Sequence, residues 1–208
     1  MNQPHPQPHP LEAVQIEGMS RQALLLKGTL AAGAVFGTAM VSPFLRRAFA
    51  QAEMGDVDIL NFALTLEYLE TAFYEEGLKL DLASEIKSQA ERFGGEEAEH
   101  VDALTATIKD LGGTPAKMPM FDFGISDEAG FLELAQTLED TGVGAYNGAG
   151  PAIKSKEVLA AAGSIVQVEA RHAAAIRLLR EEDPSPDQFE PALTTEQVNK
   201  AVEPLIVS

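Results

Sequence analysis

Two stretches of this chain repeat one pattern of residues, and that pattern decides the fold. Residues 139–172 read EDTGVGAYNGAGPAIKSKEVLAAAGSIVQVEARH, and residues 67–100 read EYLETAFYEEGLKLDLASEIKSQAERFGGEEAEH. In each stretch the opening Glu is followed, at the same intervals, by a Tyr and then by a Glu-x-x-His motif. The repeated positions are Glu67, Tyr74, Glu97 and His100, then Glu139, Tyr146, Glu169 and His172. Such repetition indicates two related halves of one structure.

Hydrophobic residues recur every three or four positions along most of the chain after residue 55, which is typical of amphipathic helices. The pattern predicts four long helices, at residues 56–77, 82–111, 126–149 and 155–182. Ser126 is the predicted N-cap of the third helix, and Thr195 that of a short fifth helix. Residues 114–125 hold two prolines and lack a helical period, so we interpret them as a long surface crossover.

The lengths of the connections predict how these helices pack. Short loops join the first helix to the second and the third to the fourth, so each pair should be antiparallel. The single long crossover then joins the two pairs, which is the arrangement of ferritin-like bundles. The predicted fold is therefore all-α, a ferritin-like antiparallel four-helix bundle with one long crossover between its second and third helices.

The Glu-x-x-His spacing places a carboxylate and an imidazole on one face of a helix, where both can reach a single metal ion. A Glu on each partner helix supplies bridging or terminal oxygens. Four Glu and two His form a mixed donor set suited to iron or manganese, and four carboxylates balance the charge of two divalent ions. The candidate metal ligands are Glu67, Glu97, His100, Glu139, Glu169 and His172.

A single Glu-x-x-His on an acidic helix is usually part of a solvated face. Two copies preceded by the same Glu and Tyr favour ligation, and His100 and His172 are the only histidines after residue 50. Tyr74 and Tyr146 return to the ligand face two turns on, although such tyrosines are more often simple core aromatics. Each is predicted to hydrogen-bond a ligand carboxylate of another helix.

Glu70 shares a helix face with Glu67 and is a candidate extra ligand, or a residue lining an access path. Each glycine in the third predicted helix destabilises that helix by about 1 kcal/mol relative to Ala. Their presence therefore indicates either close approach of a neighbouring helix or room beside the ligands. These glycines are Gly142, Gly144 and Gly148, and Gly142 matches Glu70 in the repeat. Four further acidic residues are interpreted as surface charge: Glu96, Glu99, Asp102 and Asp140.

The N-terminal part of the chain predicts export. Arg21 and Lys27 precede an uncharged run rich in Ala and Gly, and an Ala-Phe-Ala cleavage motif precedes Gln51. The run from residue 20 to 25 is similar to a twin-arginine signal, but Gln22 stands where the second Arg belongs, so the export route stays open. An uncleaved anchor is the alternative, because the apolar run can nearly span a bilayer.

We expect cleavage, hence an exported bacterial protein, periplasmic or otherwise extracytoplasmic, that keeps no membrane span. The predicted organisation is a disordered tail (1–19), an export signal (20–50), a four-helix bundle (51–182) and a C-terminal extension with a short helix (183–208). Lys and Arg number 15 against 32 Asp and Glu, a net charge of −17, which disfavours nucleic acid and suits cations. The chain contains no cysteine, which excludes disulfides, thiol nucleophiles and iron–sulfur clusters.

The order Glu, Glu-x-x-His, Glu, Glu-x-x-His resembles that of the di-iron carboxylate proteins of the ferritin-like superfamily. The export signal and the run LNFALTLEYLE at residues 60–70 are similar to exported bacterial ferritin-like proteins, some of which are called desiccation-related. The resemblance implies that the six candidate ligands hold two metal ions, iron or alternatively manganese. Glu169 beside His172 favours the rubrerythrin and ferritin pattern over that of manganese catalases. A rubrerythrin-type peroxidase with its own four-cysteine electron donor is excluded.

The resemblance also implies a centre that reacts with O2 or peroxide, as a ferroxidase or a peroxidase does. The ligand motif does not separate these activities, so an enzyme is one of two open hypotheses. The alternative is a non-catalytic protein that sequesters metal, or a structural stress protein of the cell envelope. The expected partners are metal ions and O2 or peroxide, and the sequence is compatible with a homo-oligomer.

Overall fold

A computed structural model describes residues 55–207 of the chain. The four long helices are α1 (Asp56–Gly77), α2 (Ser84–Asp110), α3 (Glu128–Ala149) and α4 (Lys156–Leu179), followed by a short helix α5 (Thr195–Val202). The predicted tail and export signal lie outside the described residues, so those interpretations stay predictions. Within residues 55–207, no helix combines the length and apolarity that crossing a membrane requires.

Helix α1 packs mainly along α2, and α3 packs mainly along α4, while a long crossover joins the two pairs. The predicted all-α, ferritin-like bundle is confirmed. The structure adds one feature that the sequence did not predict, a pair of two-residue antiparallel strands. Strand β1 (Met120–Phe121) lies in the crossover and pairs with β2 (Ile206–Val207) near the C-terminus. The crossover is therefore tied to the C-terminal extension rather than being a free surface loop.

The start of the crossover is held against α1 by one side chain. Asn61 donates from Nδ2 to the carbonyl of Thr114 at 3.2 Å and accepts at Oδ1 from the amide of Ala116 at 2.6 Å. Farther along, Phe121 and Phe123 pack against the core. The two hydrogen bonds of Asn61 satisfy backbone groups that an irregular segment would otherwise leave unpaired.

The bundle interior contains two hydrophobic clusters, and on α2 and α4 the Glu-x-x-His motif lies between them. On α2, Phe93 belongs to one cluster and Leu104 to the other, with Glu97 and His100 in between. The order is reversed on α4, where Ile165 of the second cluster precedes the other Glu-x-x-His motif and Ile176 of the first cluster follows it. A polar layer is thus closed on both sides by packed apolar side chains, which exclude water from it.

Two helix N-caps differ from the predictions by one residue. Asp127, rather than Ser126, caps α3, and its carboxylate accepts from the amide of Gly130 at 2.8 Å. Thr194, rather than Thr195, caps α5 with a capping box. Asp, Ser and Thr are all good N-caps, so local preference alone does not choose between neighbours of these types.

Helix α4 ends at Leu179, three residues earlier than predicted, and Glu181 adopts a left-handed φ of 60°. The extension that follows crosses back over α3. The amide of Leu193 donates to the carbonyl of Gly144 at 2.8 Å. A Cβ on Gly148 would lie only 1.8 Å from the carbonyl oxygen of Leu193. The close approach predicted for these two glycines is therefore made by the C-terminal extension, and not by a neighbouring helix.

Candidate metal centre

All six candidate ligands meet in the polar layer of the bundle. The four carboxylates and His172 are fully buried, and the side chain of His100 is 12% exposed. The six residues are supplied by α1 (Glu67), α2 (Glu97 and His100), α3 (Glu139) and α4 (Glu169 and His172). The predicted convergence is therefore present, while ligation itself stays a prediction.

The donor atoms of these residues form two overlapping groups, in each of which they lie within 4.8 Å of one another. The first group contains Glu67, Glu97, His100 and Glu169, and the second contains Glu97, Glu139, Glu169 and His172. Glu97 and Glu169 belong to both groups, whereas the other four residues belong to one each. The two Glu-x-x-His carboxylates therefore occupy the centre of the layer, and the upstream carboxylates occupy its two ends.

Both histidines turn the same ring nitrogen toward the carboxylates. The Nδ1 atom of His100 lies 2.8 Å from Oε2 of Glu97 and 3.1 Å from Oε2 of Glu67. The Nδ1 atom of His172 lies 2.7 Å from Oε1 of Glu97 and 3.4 Å from Oε2 of Glu139. Each imidazole thus faces the upstream Glu of its own half, as the sequence repeat requires.

The two tyrosines make reciprocal contacts across the bundle. The Tyr74 hydroxyl on α1 donates to Oε1 of Glu139, and the Tyr146 hydroxyl on α3 donates to Oε1 of Glu67. Burial, together with the charges of the carboxylates they contact, raises the pKa of both tyrosines well above the usual value. Both hydroxyls therefore stay protonated donors. This confirms the predicted hydrogen bonds and orients one carboxylate at each end of the layer.

Several buried atoms in the layer have no hydrogen-bond partner among residues 55–207. They are Oε1 of Glu97, Oε2 of Glu139, both carboxylate oxygens of Glu169 and Nδ1 of His172. The last of these lies near Glu97 but is not aligned for a hydrogen bond. Each such atom costs about 1–3 kcal/mol when it is left unpaired. A cation would satisfy all of them, and carboxylate oxygens with imidazole nitrogens suit iron or manganese. The residues therefore fit metal ions.

The electrostatics of the layer are those of crowded carboxylates compensated by imidazoles. Burial raises the pKa of Glu67 to about 7, and burial with the charge of Glu67 raises that of Glu169 well above its usual value. Burial disfavours charged imidazoles, but the attraction of the carboxylates that closely face them outweighs it and raises the pKa of His100 to about 12 and of His172 to about 11. The same two imidazoles overcome burial at Glu97 and lower its pKa to about 2.

Metal binding is expected to release protons and to strengthen as the pH rises. At neutral pH both imidazoles carry a proton that the ion must displace, and Glu67, with a pKa of about 7, is partly protonated. Calorimetric titration with Mn(II) in buffers of different ionisation enthalpy counts the released protons. Binding without proton release would contradict the electrostatic picture.

As the pH rises, the metal-free protein should lose stability, whereas the stabilisation by added Mn(II) should increase. The raised pKa of Glu67 lets the folded state keep a proton that the unfolded chain loses above its value of 4.5, so stability falls up to about pH 7. The imidazoles extend this loss above 6.5, toward their folded pKa values of about 11 and 12. The rise in Tm on adding Mn(II) should therefore be larger at about pH 8 than at about pH 5. An equal rise in Tm at both pH values would contradict this prediction.

Glu96 was interpreted from the sequence as surface charge, and the structure shows that it also contacts a candidate ligand. Its Oε2 atom lies 2.6 Å from Nε2 of His172, although the Glu96 side chain is 42% exposed. Spacing could not reveal this contact, because it joins α2 to α4. Asp140 is also more than a surface charge, since it pairs with Arg177 at 2.7 Å. Glu99 and Asp102 are exposed, as predicted.

Glu70 is buried but belongs to neither donor group. A Cβ on Gly142 would lie 3.1 Å from Oε1 of Glu70 and 3.5 Å from Oε2 of Glu169. Gly142 therefore leaves room beside the ligands, as predicted, and Glu70 fills part of it. Burial, with the charges of Glu169 and Glu67, raises the pKa of Glu70 well above the usual range.

The fold and the donor set define a class of protein: a four-helix bundle whose core carries a carboxylate and imidazole cluster able to hold metal ions. The chain belongs to the ferritin-like domain family, whose sequence profile matches residues 55–182. It is similar to the crystal structure of a conserved hypothetical protein, rv2844, from Mycobacterium tuberculosis, with a TM-score of 0.57 and 16% identity. That similarity covers 64% of this chain and 96% of the other, and it shows the fold alone. No curated protein matches the chain.

Proposed function

We propose that the layer holds two metal ions, one in each donor group, and that the loaded centre reacts with O2 or peroxide. The observation that carries this proposal is the sharing of Glu97 and Glu169 between the two groups. Carboxylates within reach of both groups can bridge two ions, and two bridged ions can act together on one dioxygen unit. Glu67 and Glu139 would be terminal ligands, each beside the imidazole of its own half.

Iron is the proposed metal, with manganese as the alternative, because the donors are hard oxygens with two imidazole nitrogens. Two Fe(II) ions, when bound, would each lose one electron and become Fe(III), and these two electrons would reduce O2 to peroxide or peroxide to water. The chain contains no cysteine, so repeated turnover draws on further Fe(II) or on an external electron donor. We therefore propose an oxidoreductase of the ferroxidase or peroxidase type.

The protein's own residues would prepare the layer for this chemistry. Tyr74 and Tyr146 hold one oxygen of Glu139 and Glu67, leaving the other oxygen of each carboxylate for a metal ion. The apolar clusters on either side exclude water, which strengthens electrostatic interactions inside the layer and limits side reactions. Gly142 leaves space that a side chain would otherwise fill.

We further propose that the protein works outside the cytoplasm, with the exported, desiccation-related ferritin-like proteins. The support is the resemblance of residues 20–50 to an export signal and of residues 60–70 to that subgroup. Mass spectrometry of protein from its host tests the proposal. An N-terminus at Gln51 is expected. A membrane-bound chain starting at Met1 would support the uncleaved anchor instead, and a chain starting at Met1 in the cytoplasm would contradict the proposal.

The proposed reactivity is tested on protein loaded without oxygen with about two equivalents of Fe(II) per chain. On adding O2 or peroxide, the wild type is expected to consume oxidant over several turnovers when Fe(II) is supplied. Turnover should collapse in His100→Ala and in His172→Ala, because each removes the imidazole of one group. The control is Glu99→Ala, which removes an exposed charge from α2. Binding of both ions without oxidant consumption would contradict the proposal and support sequestration.

A further inference from the structure

The two histidines are equivalent in sequence but not in their surroundings. The outer nitrogen of His172, Nε2, lies 2.6 Å from Oε2 of Glu96. The contacts of His100 with carboxylates, among the residues that the structure describes, all involve its inner nitrogen, Nδ1. In the repeat, the position that matches Glu96 is Val168, which has no polar side chain. Only one half of the site therefore has this carboxylate.

The rings are also packed differently. The imidazole of His172 lies against the ring of Phe93, with centroids 4.1 Å apart and planes at 31°, and its side chain is 1% exposed. The side chain of His100 is 12% exposed, and Ile165 occupies the position that matches Phe93 in the repeat. The orientation of His172 is thus restricted by both a ring contact and a polar contact.

The polar contact has a chemical consequence for ligation. A neutral imidazole that binds a metal through Nδ1 carries its proton on Nε2. A carboxylate that accepts this Nε2–H selects that tautomer, holds the ring in place and makes the ligating nitrogen more basic. Glu96 is placed to do all three for His172, with no ordering step when the ion binds. His100 has no such carboxylate at its outer nitrogen among the described residues, and its contacts with Glu67 and Glu97 use Nδ1, the nitrogen that would bind the ion.

We propose that Glu96 makes the two metal positions unequal. Glu96 is a positioning residue that acts through His172, so the position formed by Glu97, Glu139, Glu169 and His172 binds its ion first and more tightly. The position that contains His100 fills second and exchanges its ion more readily. This inference rests on the metal-binding part of the proposed function and not on turnover.

The test is a titration with Co(II) in the absence of oxygen. Visible absorption measures the bound Co(II), and a competing chelator brings both binding steps into the measurable range. The wild type is expected to bind in two separate steps. Glu96→Ala should weaken the tighter step by about 10–100-fold and leave the weaker step unchanged. Glu96→Gln keeps an oxygen acceptor, so it should weaken the tighter step by less than Glu96→Ala does. Glu99→Ala removes the same charge from an exposed position of α2 and should change neither step.

Further variants assign the steps to the positions. His172→Ala should remove the tighter step, and His100→Ala the weaker one. Val168→Glu places a carboxylate at the position that matches Glu96 and should tighten the weaker step. Glu96→Ala with both steps unchanged, or with both weakened equally, would overturn the inference.

The outcome is distinguishable from the failure of the proposed function. Two equal steps in the wild type would overturn the inequality, even if the loaded protein consumes O2 or peroxide. Two unequal steps that follow Glu96, without any oxidant consumption, would support the inequality and contradict the proposed reactivity.

Discussion

Glu169→Gln is expected to bind neither metal ion, while its metal-free bundle becomes more stable than that of the wild type. Glu169 belongs to both donor groups, and neither of its carboxylate oxygens has a hydrogen-bond partner. The amide of Gln offers one uncharged oxygen in place of two charged ones, so both positions lose a ligand. Burial and the charge of Glu67 raise the pKa of Glu169, so a charged Glu169 is unfavourable in the folded state, and the neutral Gln avoids this cost.

Metal analysis after equilibration with Mn(II), and thermal melts with and without Mn(II), measure these two effects. Glu139→Gln is the matched control within the site, because Glu139 belongs to one group only, and it should lose one ion. Glu99→Gln is the control outside the site and should lose none. Two bound ions in Glu169→Gln, or an unchanged metal-free Tm, would contradict the shared role of Glu169.

Gly148→Ala is expected to destabilise the protein by about 3 kcal/mol, the upper part of the usual range for overpacking. The new methyl group would lie 1.8 Å from the carbonyl oxygen of Leu193. This backbone cannot move away without stretching the hydrogen bond from the Leu193 amide to Gly144. We therefore expect the C-terminal extension to detach from α3, which would expose Val198 and Val202 of α5.

The matched control is Gly163→Ala on α4, where a Cβ would meet nothing within 4 Å. Alanine is the better helix former there, so this change should stabilise the protein by about 1 kcal/mol. Urea denaturation measures both variants, and hydrogen exchange of residues 191–202 locates the effect. If Gly148→Ala proved as stable as Gly163→Ala, the close contact with Leu193 would be absent in solution.

The two variants test two places where the structure indicates an unfavourable contribution to the free energy of folding. At the candidate metal centre, buried carboxylates and unpaired oxygens oppose folding, and a bound ion would satisfy them. On α3, Gly148 lowers helix propensity but admits the C-terminal extension. A bound ion would offset the first contribution, and packing of the C-terminal extension offsets the second.

The sequence by itself determined the helices and the composition of the site. Helical periodicity is a local property, so it places His100 beside Glu97 and His172 beside Glu169 without reference to the rest of the fold. The repeat then relates the two halves, and the seven-residue spacing from Glu67 to Tyr74 returns the tyrosine to the ligand face. For these reasons the bundle, the six converging side chains and both tyrosine hydrogen bonds were predictable.

Contacts between elements distant in sequence were decided only by the tertiary structure. Which carboxylates occupy the centre of the layer depends on how four helices pack, and the reach of Glu96 to His172 depends on the distance between α2 and α4. The N-caps at Asp127 and Thr194 were chosen among neighbours of nearly equal local preference. The contact of the C-terminal extension with Gly148 has no periodic signal, because an irregular segment makes it. Spacing along one helix specifies which side chains share a face, and packing between helices specifies what that face meets.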